Sequence, residues 1–339
     1  MTQATEHIGL VSLGLYLPAG REGAAALAPR TGLSLAELGD LGIEARCRPA
    51  PGDQPVGMAA AAARQALERG QTAPEAVDVV IWTGEEYKDY IAQTASIRLQ
   101  EEIGCGRAWA FDLVGQGTTP ILGLRVARDL MLGDQSINTV LLAGGTRNQD
   151  LVDPANPDTR FLLAYGASGA AALLQRGHSA NWLLSATLSS EPGLADEVYV
   201  PGGGTEIPFT PDNLDGPLRF FQVQHPPVVQ AYLAQQFPQR LAQEVRRNLN
   251  GRPLDYLALR HLPPAARQRV LAELGLDEAQ SQPLYKLGHH GGNDALISLE
   301  LGLARGAVKE GARVVLASGG IGFTYAAAAV QWGPIRSEE

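Results

Sequence analysis

A chain of 339 residues of which 45% are hydrophobic can bury a large core and by length forms one large or two medium domains. Its net charge of −9 argues against a general nucleic-acid surface, which needs clustered Lys and Arg, and repels acidic carrier proteins overall. No apolar run approaches the ~18–20 residues that span a bilayer, and Met1–His7 has no basic stretch ahead of an apolar one, so the expectation is a cytoplasmic protein with no membrane partner.

Short β-rich runs alternate with Ala-rich helical segments along the chain, the mark of α/β layering with partly parallel sheets. Strands are predicted over Ile8–Leu15, Val77–Trp82, Trp109–Leu113, Thr139–Ala143, Gly169–Leu174, Trp182–Leu188, Tyr256–Leu259, Arg313–Ala317 and Ala326–Val330. Helices are predicted over Val56–Arg69, Thr94–Glu102, Thr118–Leu132, Val228–Leu249, Pro264–Leu274 and Asp294–Val308. Val77–Trp82 resembles Leu254–Leu259, and Asn138–Gly145 resembles Ala312–Gly320, so two duplicated halves meeting near His178–Trp182 are expected, 1–177 and 178–339. Pro192–Pro217, rich in Gly and Pro, reads as a long loop, and long loops in compact domains are often functional covers. Leu151–Arg160 reads as a second.

Cys47 and Cys105 cannot make a disulfide framework and lie in no metal-ligand spacing, so both are expected as free, buried thiols. The cluster Arg240, Arg246, Arg247 and Arg252 fits a solvated helix face or a local dock for an anionic partner.

Three segments have the makings of chemistry. Ala110–Thr119 reads as strand, glycine turn and buried helix, an elbow that holds a residue at a helix N-terminus where unpaired N–H groups stabilise a thiolate or oxyanion. The same pattern also suits a plain βα connection, and its tip, Gly117, has no side chain. His261 follows a strand and precedes Pro263-Pro264, at a strand's C-terminal end where ligands bind in α/β sheets; a structural His fits there too. Gly288-His-His-Gly-Gly-Asn293 gathers His289, His290 and Asn293 in one loop that can converge on a carbonyl, although Asn293 also suits a helix cap. Ser318–Phe323 lacks the G-x-G-x-x-G order and reads as a turn presenting backbone N–H groups.

Taken together, Leu15-Tyr-Leu-Pro18, Gly42-Ile-Glu-Ala-Arg46, Ala110-Phe-Asp112, Tyr165-Gly-Ala-Ser-Gly-Ala170, His261, Gly292-Asn293 and Gly319–Tyr325 resemble, in order and spacing, the 3-oxoacyl-ACP synthase III family. The resemblance implies a thiolase fold, α/β in five αβαβα layers from two duplicated halves, and a homodimer. It implies acyl transfer from acyl-CoA or acyl-ACP as substrate, with no cofactor and no metal. In that family a Cys at the elbow takes the acyl group, and a His and an Asn support decarboxylation and carbon–carbon bond formation. By resemblance His261 and Asn293 match that His and Asn, and the backbone N–H groups of Gly117 and Ile321 supply the oxyanion hole.

The departures are as informative. The Cys position, five residues after Asp112, holds Gly117. Thr118 is the neighbouring alternative nucleophile, one position late and without an activating base. Ala36 and Asp40 stand where the family commonly has the Trp and Arg that clasp the CoA adenine, and Tyr165–Ala170 lacks the family's acid. Three functions are compatible with this: an acyltransferase that joins substrates without an acyl-Cys, a decarboxylase or thioester hydrolase using the His and Asn, and a non-catalytic acyl-binding or heterodimer partner.

Overall fold

Alternation of side chains between two sheet faces organises the molecule. The computed structural model describes residues 7–334. Its principal sheet has nine strands: β1 (Ile8–Tyr16), β2 (Val79–Trp82), β3 (Trp109–Asp112), β4 (Thr139–Thr146), β5 (Ser168–Arg176), β6 (Ala180–Ser190), β7 (Tyr256–Leu259), β8 (Arg313–Gly320) and β9 (Thr324–Pro334). The order across the sheet is β7-β8-β9-β6-β1-β5-β4-β2-β3.

The sheet is built twice. On one side β2 runs parallel to β3 and β4, and β5 runs antiparallel to β4 and β1. On the other, β7 runs parallel to β8, and β9 runs antiparallel to β8 and β6. The two internal sequence similarities fall on β2 with β7 and on β4 with β8, which hold matching places in the two halves. The halves join at one pairing, Gly9 opposite Trp182.

The principal helices are α1 (Pro55–Arg69), α2 (Ala95–Ile103), α3 (Thr119–Gly133), α4 (Pro226–Leu249), α5 (Pro264–Leu274) and α6 (Asp294–Ala304). Val140 and Leu142 of β4, and Val314 and Leu316 of β8, face a central core with Ile121 and Leu124 of α3 and Ala295 and Leu299 of α6. The intervening residues point the other way. Leu141 and Ala143 pack with Ala59, Ala63 and Leu99 of α1 and α2, and Val315 and Ala317 pack with Val229, Leu241 and Val270 of α4 and α5. Strands covered on both faces must be apolar at successive positions, and the result is the five-layered thiolase fold. The central layer matters most, because α3 and α6 both start there, one from each half.

All nine predicted strands and all six predicted helices are present, with ends shifted by a few residues. Helix α6 stops at Ala304, short of the predicted Val308, because Gly306 turns left-handed at φ +69; a left-handed residue ends a helix. Short elements went unpredicted, including the hairpin of Gly20–Gly23 with Ala45–Arg48 and the helix Leu35–Asp40. That helix carries a capping box from Ser34 and Glu37, but six residues are too few to show a hydrophobic period. Of the basic cluster, Arg240, Arg246 and Arg247 pair with Glu191, Glu273 and Glu244. Among the described residues no helix is long and apolar enough to cross a membrane.

Candidate functional site

The elbow runs from β3 into a 3-10 turn, Gln116–Thr118, and then α3. Asp112 anchors its base: the carboxylate accepts from the N–H groups of Ala95 and Ser96 at the start of α2 and lies 2.6 Å from Lys88 Nζ. Burial alone would raise its pKa, but Lys88 and these donors outweigh it and hold the carboxyl below its usual range. The hydroxyls of the turn point back at the backbone. Thr118 Oγ1 donates to Gly115 O at 2.7 Å, Thr119 Oγ1 to Gln116 O at 2.7 Å, and Ser318 Oγ to Gly117 O at 2.5 Å. Thr118 is therefore buried with its proton already committed.

Gly117 is enclosed by the C-terminal end of β8. A Cβ at this position would stand 2.7 Å from Gly319 O and 3.1 Å from Gly320 Cα, and a Cβ on Gly320 would stand 2.5 Å from Gly117 N. Backbone presses on backbone, so neither residue has room for a side chain. The side chain that the turn does present belongs to Gln116, held left-handed at φ +50, a conformation that costs a non-glycine residue roughly 1–2 kcal/mol.

Behind the elbow lies the Asn loop. Gly292 packs on Pro120 and on Gly117 O, and the loop is organised by Asp294. One carboxylate oxygen accepts from His261 N at 2.8 Å and meets His289 Nδ1 at 2.5 Å; the other accepts from His290 N at 2.7 Å. Full burial raises a carboxyl's pKa, yet the three histidines beside it hold Asp294 well below the usual range. His289 Nε2 lies 2.8 Å from Arg260, whose other arm donates to Gly319 O at 2.5 Å. This places a neutral His289, Nδ1 proton toward Asp294, between a carboxylate and a guanidinium. Its ring stacks on Tyr165 at 4.6 Å.

His261 and Asn293 are both buried, and both point at backbone. His261 Nε2 is 3.0 Å from Gly42 O, and burial lowers its pKa to about 4, so the ring is neutral near pH 7. His290 is lowered to about 4 for the same reason. Asn293 Nδ2 donates to Gly144 O at 3.2 Å and to Ser168 Oγ at 3.1 Å. Glu85, just beyond β2, accepts from Gly292 N at 3.0 Å. Burial pushes its carboxyl up to about 7, against the Gly292 hydrogen bond and Arg260.

A cavity of about 870 Å³ reaches this cluster at Gln116, Ile321 and Gly322. Its far wall is the long loop after β6, through Val198, Tyr199, Phe209 and Leu214, with Tyr87 and Ile91 opposite. The lining is mainly apolar, with Gln116 at the elbow and Glu86, Asn148, Asp150, Asp215 and Arg219 elsewhere in the wall, a mixture usual for a small-ligand site. Gly117 packs on Gly319 and Gly320, just before Ile321, and Gly292, next to Asn293, approaches Gly117 O; His261 is tied to this loop only through Asp294, and of the four predicted residues Ile321 alone, with Gln116, lines the cavity.

Comparison with known proteins gives this arrangement a lineage. Residues 111–192 match the family described as 3-oxoacyl-[acyl-carrier-protein (ACP)] synthase III, and residues 245–332 match the C-terminal description of the same family. The chain belongs to the 3-oxoacyl-ACP synthase III family. It is 27% identical to the β-ketoacyl-[acyl-carrier-protein] synthase III of Symbiobacterium thermophilum over 86% of this chain and 88% of the relative, and 26% identical to that of Brucella canis over 86% and 88%. In structure it is similar to the synthase III, FabH, of Pseudomonas aeruginosa, with a TM-score of 0.84, 23% identity and coverage of 97% and 99%. A variant of Xanthomonas campestris OleA with bound lauric acid and lauroyl-CoA superposes with a TM-score of 0.80 at 19% identity, over 96% and 99%.

Four residues of this cluster were not singled out from the sequence: Gln116, Glu85, Arg260 and Asp294. Asp294 alone had a readable cue, an acid in the first turn of a predicted helix. Cys47 and Cys105 are free and buried as expected, their thiols pushed up to about 11 by burial. Among the described residues no group of three or more His, Cys, Asp or Glu is arranged to hold a metal ion.

Proposed function

We propose that the chain is a synthase III-type acyltransferase that takes an acyl thioester, from acyl-CoA or acyl-ACP, and passes the acyl group to an acceptor with no covalent acyl-enzyme at the elbow. The observation that carries this reading is the packing of Gly117 against Gly319 and Gly320, beside an apolar cavity that opens on Gln116 and Ile321. Here Gly117 occupies the acyl-Cys position. The apolar cavity takes the acyl chain, and the thioester carbonyl lies at the elbow against the N–H groups of Gly117 and Ile321 with the Gln116 carboxamide beside them. Holding two substrates in register and stabilising a tetrahedral oxyanion are large effects without a nucleophile. His261, neutral at working pH, is the proton acceptor in this reading and Asn293 the supporting donor; Thr118 has no role. The reading carries with it two halves, 1–177 and 178–339, a cytoplasmic location and a homodimer, the last tested by sedimentation.

A second reading is a non-catalytic acyl-binding or heterodimer partner, and one observation favours it: the side chains of His261 and Asn293 are hydrogen-bonded to Gly42, Gly144 and Ser168. Incubation with acyl-CoA and malonyl-CoA, followed by intact-mass and product analysis, separates the readings. Acyl transfer predicts thioester loss that depends on an acceptor, with unchanged protein mass. An acyl adduct on the protein refutes the non-covalent step. Acceptor-independent free acid, or carbon dioxide release alone, indicates the hydrolase or decarboxylase; binding without turnover indicates the partner.

A further inference from the structure

Strand β7 runs out before the edge of β8 that it pairs with. Alternate residues of a parallel strand donate to its neighbour, and Arg260 N makes the last such bond, to Ala317 O at 3.0 Å. The next carbonyl on that edge is Gly319 O, in a buried residue. By then the chain has turned away toward Pro263 and Pro264, which have no N–H to give. A buried carbonyl needs a donor from somewhere, and the Arg260 side chain supplies it, Nη1 to Gly319 O at 2.5 Å.

The guanidinium is itself fixed from behind. Nη2 lies 2.8 Å from His289 Nε2, and His289 Nδ1 lies 2.5 Å from Asp294 Oδ2. Phe237 of α4 lies under the guanidinium at 5.1 Å and also backs Gly319, where a Cβ would stand 2.7 Å from its Cζ. Arginine has donors only, so Nη2 bonds His289 only while Nε2 carries no proton; Asp294, an acceptor, requires the proton on Nδ1. One tautomer of a neutral ring satisfies both. A continuous chain thus runs from Asp294 through His289 and Arg260 to Gly319 O, which stands 2.7 Å from where a Gly117 Cβ would be. It joins the Asn loop, the ends of β7 and β8, and the elbow, yet none of its three side chains lines the cavity.

We propose that Arg260 is a positioning residue: by holding Gly319 O it sets the backbone that carries the Ile321 N–H, and a neutral His289 oriented by Asp294 keeps it in place. The inference rests on the acyl-transfer reading above, in which that N–H faces the thioester carbonyl. A second proton on His289 removes the acceptor and sets a cation against the guanidinium, so the chain opens when the ring is protonated. Burial lowers the pKa of His289, Asp294 raises it and Arg260 lowers it again, with the balance downward; the chain is therefore closed at neutral pH and opens on acidification. His261 and Tyr165, with ring centroids 6.1 and 4.6 Å away, and His290 also face the ring. All three are neutral near pH 7, and Glu85 acts on Arg260.

The test compares the full chain with Arg260→Met and Arg260→Lys, each checked for folding by its melting curve. Arg260→Met is expected to lower kcat for transfer from acyl-CoA by roughly tenfold or more, against the ~10²–10³ that loss of an oxyanion donor costs, and to leave the KM for acyl-CoA unchanged. Arg260→Lys recovers part of that rate. Imidazole nitrogen NMR is expected to show the Nδ1–H tautomer of His289 in the wild type and a higher His289 pKa in Arg260→Met, while hydrogen exchange speeds up only around 319–323. An Nε2–H tautomer in the wild type, or an Arg260→Met variant with unchanged kcat and unchanged exchange, overturns the proposal. So does a kcat loss that Lys does not restore and that comes with faster exchange throughout the chain, the signature of a merely structural arginine. Should Arg260→Met not fold, Arg260→Lys carries the same comparison, with a smaller kcat loss expected. If the wild type turns over no thioester, the acyl-transfer reading fails on its own, and the positioning role is decided by the tautomer and by whether faster exchange is confined to 319–323.

Discussion

Restoring the family's nucleophile by Gly117→Cys is the natural repair, and the structure sets its cost. The new Cβ meets Gly319 O at 2.7 Å and Gly320 Cα at 3.1 Å, where ordinary contact begins near ~3.5 Å. The oxygen it strikes belongs to the backbone of β8 and also accepts from Arg260 at 2.5 Å, so the strand end can move only by disturbing that arginine and the pairing with β9. Overpacking of this kind costs about 1–3 kcal/mol, and for a chain this large each kcal/mol lowers Tm by roughly 2 °C. The sign is diagnostic. Gly117 is not among the positive-φ glycines, so without the contact even Gly117→Ala would stabilise by about 0.4–1 kcal/mol through the unfolded chain. Calorimetry of both variants, with intact-mass analysis of the Cys variant after acyl-CoA, is expected to show two lower melting temperatures and no acyl adduct. A Cys variant as stable as the wild type and readily acylated would refute the steric argument.

Gln116→Gly relieves the left-handed φ and is expected to raise stability by about 1 kcal/mol while weakening acyl-thioester binding; a variant that is stabilised with unchanged binding and turnover removes Gln116 from the site. Glu85 has its pKa raised by burial from 4.5 to about 7, so the native state holds a proton that the unfolded chain releases. Stability from this group is present below pH ~4.5 and is lost as pH rises to about 7, by at most ~3 kcal/mol. Melting curves of Glu85→Gln should lack that fall, and an unchanged pH slope counts against the assignment. Asp294→Ala strips three donors of their shared acceptor and is expected to cost about 3–5 kcal/mol, read by urea denaturation; a loss below ~1 kcal/mol means the cluster is not held by Asp294.

The site was only partly legible in the sequence. His261, Asn293 and the elbow stood out because each follows a strand or opens a helix, and such boundaries are written locally. What those residues touch was not written there. Asp294 reaches His261 across 33 residues, and Glu85 reaches Gly292 across 207, separations at which a single sequence holds no periodic signal. Thr118 shows a different limit: its acceptor, Gly115 O, is only three residues away, but the conformation of the turn decides that the two meet.

The sequence by itself determined the elements and their order, because hydrophobic period, glycine punctuation and Pro placement act within a few residues of chain. It also determined that position 117 has no side chain. Tertiary structure alone decided that none fits there and that Gln116 instead faces the cavity. Those facts depend on the contact of two half-sheets and their loops, and contact between distant backbones is settled by packing rather than by local pattern.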